Sequence, residues 1–152
     1  MPAKYNGSTM TSVAAYVSTP YYVLMEGKRR VGPDVVPLPA GTRCAVVYGF
    51  SGKACYDKFL ANSSAGLVPY PLTKFYLQNQ ADTASDGINL VVVDAAGPHE
   101  PCLQAGTMEA VLQGQEQRAR HVTAAYQLTL DPGGTAYQVA VNKSLKTRQR
   151  LC

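Results

Sequence analysis

Hydrophobic and polar residues alternate most regularly in the last third of the chain. Apolar side chains occupy every second position over residues 122–130, and the same alternation returns over Tyr137–Val141. This period of two is typical of a strand with one buried face. The residues between the two runs, Asp131-Pro132-Gly133-Gly134, favour a turn, so the pattern predicts a hairpin closed by a four-residue turn.

Several other segments have the pattern of strands. Residues 21–25 and 29–31 flank Glu26-Gly27-Lys28 and predict a second hairpin. Residues 43–48 follow a turn and predict a strand, and Phe75 and Leu77 mark a weaker strand around residues 72–78. Residues 88–93 form a nearly continuous branched apolar run, which is typical of a central strand buried on both faces.

Helical spacing is found in two places. Residues 53–61 predict about two turns of helix after Ser51, which we expect to cap the helix. From Met108 onward, Val111 and Leu112 have helical spacing, although Gly114 weakens a helix by about 1 kcal/mol relative to alanine. The same residues also fit a strand with Met108 and Leu112 on one face, and the sequence favours a short helix there.

These elements predict a mainly β fold. The expected architecture is a single antiparallel β-barrel or sandwich with one or two short helices, and an α+β fold is the alternative. A chain of 152 residues is long enough to bury a core without a metal or a disulfide. We expect one domain over residues 1–152, with flexible ends at residues 1–10 and 143–152.

The composition changes the functional expectation. Charged residues make up 16% of the chain, against about 25% in a typical soluble domain. Aromatic residues are enriched and charged residues depleted at the centres of protein interfaces, so ten tyrosines and few charges fit a subunit covered by neighbours. An ordinary β-rich domain also favours Tyr, Thr and Val, and composition does not separate these two interpretations.

Positive charge is concentrated in two places. The net charge is +4, and a basic segment can neutralise phosphates on nucleic acid. The tail lacks interleaved aromatic residues that would stack on bases. The candidate partner-binding residues lie in a cluster near the second hairpin and in the C-terminal tail: Lys28, Arg29, Arg30, Lys143, Lys146, Arg148 and Arg150.

The segment from Val46 to Phe59, VVYGFSGKACYDKF, resembles a catalytic or phosphate-binding turn only in part. A P-loop needs four residues between its first glycine and the Gly-Lys pair, and here there are two. A nucleophile elbow needs a second glycine where this chain has Lys53. Ser51, Asp94 and His99 nevertheless follow the chain order of a hydrolase triad, so they are the candidate catalytic residues, although geometry defines a triad.

No metal or cofactor is expected. His99 and Cys102 lie three apart, but further ligands are missing from that segment. The four cysteines, Cys44, Cys55, Cys102 and Cys152, are widely spaced and predict free thiols in a reducing, intracellular setting. The sequence shows no secretion signal and no membrane-spanning stretch, so the expected location is the cytoplasm or an assembled particle.

Three functions compete on these grounds. The leading one is a non-catalytic structural or assembly subunit that binds other proteins or its own copies in a larger complex or a virion-type particle. The alternatives are a β-barrel that binds a small molecule or a peptide, and a small hydrolase that uses Ser51, Asp94 and His99. The absence of a complete catalytic motif favours a protein that is not an enzyme.

Overall fold

A computed structural model describes residues 15–36, 42–63, 66–83 and 87–142. Ten strands and three helices lie in these ranges. They are, in chain order, β1 (Tyr16–Ser18), β2 (Tyr22–Glu26), β3 (Arg29–Arg30), β4 (Arg43–Phe50), α1 (Lys53–Ala61), β5 (Val68–Pro71), α2 (Lys74–Thr83), β6 (Gly87–Val93), β7 (Cys102–Thr107), α3 (Met108–Glu116), β8 (His121–Thr123), β9 (Tyr126–Leu130) and β10 (Tyr137–Val141).

The prediction of a mainly β fold is confirmed, with three short helices in the described residues where one or two were expected. Eight strands form one sheet in the order β10-β9-β7-β6-β4-β2-β3, with β5 paired to the other edge of β2. The sheet is not closed into a barrel. Its central pair, β4 and β6, is parallel, because the chain between them crosses over through α1, β5 and α2. Strands β1 and β8 pair separately as a two-stranded sheet.

Both faces of the large sheet are covered. Along β6 the side chains alternate between two apolar clusters, since Leu90 and Val92 join one and Val91 and Val93 join the other. All four are buried, as the apolar run predicted for a central strand. Helix α1 packs on the first cluster through Phe59, whereas α2 and α3 supply Leu77 and Val111 to the second.

The two predicted hairpins are present. Strands β2 and β3 are joined by a tight turn in which Gly27 has a φ of 62°, a conformation that glycine adopts freely. Strands β9 and β10 pair in a register that places Leu128 opposite Val139, and the Gly134 amide donates to the Asp131 carbonyl in the turn. The predicted long strand 122–130 is interrupted at residues 124–125, because β8 pairs with β1 and β9 with β7.

The prediction of a strand over residues 72–78 is wrong, because this segment begins α2. The Thr73 hydroxyl accepts a hydrogen bond from the Tyr76 amide at 3.1 Å, as a helix N-cap does. Phe75 and Leu77 do not share a face, since Phe75 is 82% exposed and Leu77 is fully buried.

Helix α3 resolves the ambiguity between helix and strand in favour of the helix. Thr107 caps it, since its hydroxyl accepts from the Ala110 amide at 3.0 Å. Close packing explains the glycine at position 114, because a Cβ atom there would lie 2.4 Å from a methyl group of Val122. Helix α3 therefore packs too closely against β8 for a larger residue.

Two further expectations need correction. Helix α1 is present, but its N-cap is the extended Gly52 without a side-chain hydrogen bond, and Ser51 points its hydroxyl elsewhere. Cys44 and Cys55 are free thiols, whereas Cys102 is disulfide-bonded, so the prediction of a free thiol there is wrong. The predicted flexible ends, residues 1–10 and 143–152, also lie outside them.

Candidate functional site

The Ser51 turn, which we define as Ser51, Gly52, Cys55 and Asp94, lies where the parallel strands β4 and β6 end. Ligands of open α/β sheets bind beyond the carboxyl ends of such strands, so the position itself suggests a site. Ser51 and Asp94 reach this position because Ser51 directly follows β4 and Asp94 directly follows β6. Asp94 has a φ of 57°, and its amide donates to the Gly49 carbonyl at 2.8 Å.

Ser51 and Asp94 bind each other. The Ser51 amide donates to Asp94 Oδ1 at 2.8 Å, and the Ser51 hydroxyl donates to Asp94 Oδ2 at 2.8 Å. The Cys55 sulfur lies 3.6 Å from the same hydroxyl oxygen. The Asp94 carboxylate thus occupies both donors of Ser51, and its negative charge repels an anion from the start of α1.

The third candidate catalytic residue is not part of this turn. His99 is exposed, and within the described residues no hydrogen bond connects it to Ser51 or Asp94. A hydrolase triad needs a base that accepts the proton of the nucleophile. The structure brings two of the three candidates together without placing His99 beside them, so it does not support the hydrolase hypothesis.

A second region, the Tyr48 cavity, has a volume of about 270 Å³. Strands β2, β4, β9 and β10 contribute to its wall, as do α1 and the segments around residues 31–34 and 98–99. The segment 31–34 reaches it because the Val31 amide donates to β2 and the Tyr137 amide donates to the Asp34 carbonyl. The lining is Glu26, Val31, Gly32, Pro33, Asp34, Tyr48, Phe59, Ser63, Leu67, Pro98, His99, Leu130, Gly134, Thr135 and Tyr137.

Two buried tyrosines in this wall differ in their hydrogen bonds. Each is 3% exposed. The Tyr137 hydroxyl donates to the Glu100 carbonyl at 2.6 Å, whereas the Tyr48 hydroxyl has no hydrogen-bond partner within the described part of the chain. Burial raises the pKa of Tyr48, and the nearby Tyr137, Asp34 and Glu100 raise it further. The phenol of Tyr48 is therefore neutral at physiological pH and free to donate or accept a hydrogen bond.

The predicted basic cluster is divided among different contacts. Arg29 forms an exposed ion pair with Glu26 at 2.6 Å. The Arg30 guanidinium lies 3.8 Å from the centre of the Tyr76 ring, and its Nε atom is buried without a hydrogen-bond partner. Lys28, at the exposed hairpin turn, has no partner within the described ranges. Lys143, Lys146, Arg148 and Arg150 lie outside those ranges.

An exposed apolar surface is the third feature. Val68 and Tyr70 on β5 are 58% and 53% exposed, and Phe75 in the first turn of α2 is 82% exposed. We call these three residues the β5–α2 surface. The sequence did not predict it, because Phe75 was assigned to a strand and not to the exposed side of a helix.

Neither a metal centre nor a membrane helix is found in the part of the chain that the structure describes. Within it, no three His, Cys, Asp or Glu side chains group as metal ligands would, and no helix has the length and hydrophobicity that crossing a membrane requires. Comparisons with models of protein families, with curated proteins and with solved structures found no match to this chain.

Proposed function

We propose that this protein is a non-catalytic structural or assembly subunit that acts through contacts with other chains or with its own copies. The observation that carries the proposal is the β5–α2 surface, where three large apolar side chains within eight positions of sequence are more than half exposed. Burying such side chains against a partner is favourable at about 25 cal/mol per Å² of apolar area. The low share of charged residues, 16%, supports the same role.

The contact would be made by side chains and not by strand addition. Strand β5 pairs only with β2 in the described sheet, and the Leu72 amide donates to the Tyr21 carbonyl. In an antiparallel pair, alternate residues point their amides outward. In β5 the outward positions are Pro69 and Pro71, which have no amide hydrogen. The outer edge of β5 therefore offers a partner apolar side chains but no backbone N–H donors.

Light scattering after size exclusion tests this proposal. We expect the chain to run above its monomer mass of 16.3 kDa at high micromolar concentration, or to retain a partner from its source. Phe75→Ser should reduce the association strongly. Val141→Ser is the matched control, because Val141 is 61% exposed on β10, at the opposite end of the sheet. A monomer at every concentration with no recovered partner, or equal effects of the two substitutions, would contradict the proposal.

We also propose that the protein is located within an assembled particle. The disulfide at Cys102 favours an oxidising environment over the reducing cytoplasm. Titration of the denatured, unreduced protein should find two thiols, and four after reduction, whereas four thiols before reduction would support the cytoplasm.

Nucleic-acid contact through the basic tail rests on charge. Binding that weakens steeply with salt in the full chain but not in a chain ending at Asn142 would support it.

The second candidate is a protein that binds a small molecule, and the Tyr48 cavity favours it. An unpaired hydroxyl in a largely apolar pocket is the kind of group that fixes the orientation of a ligand. Nitrogen-15 NMR spectra recorded with cationic, neutral and anionic small compounds test this function. Shifts confined to residues around the cavity would support it, and no shift with any class would contradict it.

A further inference from the structure

The wall of the Tyr48 cavity contains acidic and aromatic side chains. Its charged side chains include the carboxylates of Asp34 and Glu26, and among the described residues no lysine or arginine lines it. Glu26 is already paired with Arg29. Asp34 is exposed, and its carboxylate makes no hydrogen bond or ion pair within the described residues. One unbalanced negative charge therefore faces the cavity.

The Tyr48 hydroxyl is close enough to Asp34 for the carboxylate to raise its pKa, yet the two groups are not hydrogen-bonded to each other. The Tyr48 oxygen is not among the buried atoms that lack a partner, so it reaches the surface of the cavity, where a ligand can replace water as its partner. A group that donates to both oxygens at once would satisfy the hydroxyl and neutralise the carboxylate. An ammonium group has three such donors.

The remaining wall is suited to the body of such a ligand. The rings of Tyr48 and Phe59 pack with their centroids 4.6 Å apart, and Leu67, Pro98 and Leu130 add apolar surface. Aromatic faces attract a cation, and apolar walls accept its hydrocarbon part. The 270 Å³ of the cavity equals about nine water volumes, so the ligand is small.

We propose that the Tyr48 cavity binds a small primary amine with an apolar group, whose ammonium is held by the Asp34 carboxylate and the Tyr48 hydroxyl. This inference rests on the second candidate function, the binding of a small molecule. It goes further in naming the charge of the ligand and the two groups that recognise it. His99, which also lines the cavity, is exposed and is not required for this contact.

Three compounds of matched shape separate the inference from the function on which it rests. Phenethylamine is the cationic probe, phenethyl alcohol the neutral one and phenylacetate the anionic one, with affinities measured by calorimetry and NMR shifts. We expect phenethylamine to bind at least about tenfold more tightly than the other two. Tight binding of the alcohol or the acid in the cavity would overturn the inference and keep the function. No binding by any probe would overturn both.

Substitutions locate the ammonium. Asp34→Asn and Tyr48→Phe should each weaken phenethylamine binding by about tenfold, because each removes one partner of the ammonium and keeps the shape of the site. Asp57→Asn is the matched control, since Asp57 is an exposed carboxylate on α1 outside the cavity wall, paired with Lys53. Circular dichroism confirms that each variant is folded. Equal affinity of the wild type, Asp34→Asn and Tyr48→Phe would overturn the assignment.

Discussion

The Ser51 turn and the Tyr48 cavity both contain hydroxyl and carboxylate groups, but only in the turn do these groups form hydrogen bonds with each other. In the turn, the Ser51 amide and hydroxyl both donate to the Asp94 carboxylate. In the cavity, the Tyr48 hydroxyl and the Asp34 carboxylate are without partners within the described residues. The polar groups of the first region are paired with each other, whereas those of the second have no partner among the described residues and remain accessible to a ligand.

This difference separates structural polar groups from groups that can bind a ligand. A buried polar atom normally has a partner, and an exception calls for an explanation. In the turn, hydrogen bonds to Asp94 join the ends of β4 and β6, which gives Ser51 and Asp94 a role in holding the sheet together. In the cavity, the Tyr48 hydroxyl has no partner among the described residues and reaches the cavity surface, so it is available to a ligand. Four substitutions test this comparison by measuring the free energy of unfolding.

The largest effect is expected for Asp94→Ala. The substitution leaves the Ser51 amide and hydroxyl without their acceptor and places alanine at a φ of 57°, which alanine adopts less readily than aspartate. We expect a loss of about 2 to 4 kcal/mol in urea unfolding. Asp94→Asn keeps an acceptor and tolerates this φ, so it should lose roughly half as much. Unchanged stability of Asp94→Ala would show that the turn is not structural.

Ser51→Ala should have the second largest effect. It removes the hydroxyl that donates to Asp94 Oδ2 and retains the amide contact, so we expect a loss of about 1 to 2 kcal/mol. Catalytic residues commonly behave in the opposite way, because replacing a strained active-site group often stabilises a protein. A stabilised Ser51→Ala variant in thermal unfolding would therefore revive the hydrolase hypothesis and reverse the roles of the two regions.

Tyr137→Phe tests a hydrogen bond in the wall of the Tyr48 cavity. Its hydroxyl donates to the Glu100 carbonyl at 2.6 Å, and phenylalanine keeps the ring and leaves that carbonyl unpaired. We expect a loss of about 1 kcal/mol, measured by urea unfolding. The ring is 3% exposed in both this residue and Tyr48, so the pair isolates the effect of the hydroxyl. No loss would mean that the cavity wall does not depend on this bond.

Local patterns predicted the elements whose environment is set by their own residues. The run 88–93 became the buried strand β6, and the alternation on both sides of Asp131-Pro132-Gly133-Gly134 became the β9–β10 hairpin. The α2 segment was mistaken for a strand because Phe75 and Leu77 are apolar residues two positions apart, which fits the period of a strand. The Thr73 cap was the overlooked signal for a helix.

The two candidate regions differ in the same way. Ser51 and Asp94 each follow a predicted strand, and both became neighbours once those strands paired in parallel. The cavity could not be predicted, because its wall combines segments far apart in sequence. Residues 31–34 reach it only through backbone bonds to β2 and to Tyr137. The local pattern of apolar and polar residues predicts neither the hydrogen bond from the Tyr137 amide to the Asp34 carbonyl nor the lack of a partner for the Tyr48 hydroxyl.

Tyr48→Phe should have the smallest effect on stability and is the most informative of the four. Removing a hydroxyl that reaches the cavity surface and has no partner among the described residues loses no hydrogen bond within the protein, so the free energy of unfolding should change by less than about 0.5 kcal/mol. The same variant should bind phenethylamine about tenfold more weakly. A loss of 1 kcal/mol or more, as for Tyr137→Phe, would reveal a hydrogen bond to Tyr48 within the folded protein. The two regions would then be alike, and the hydroxyl would not be available to a ligand.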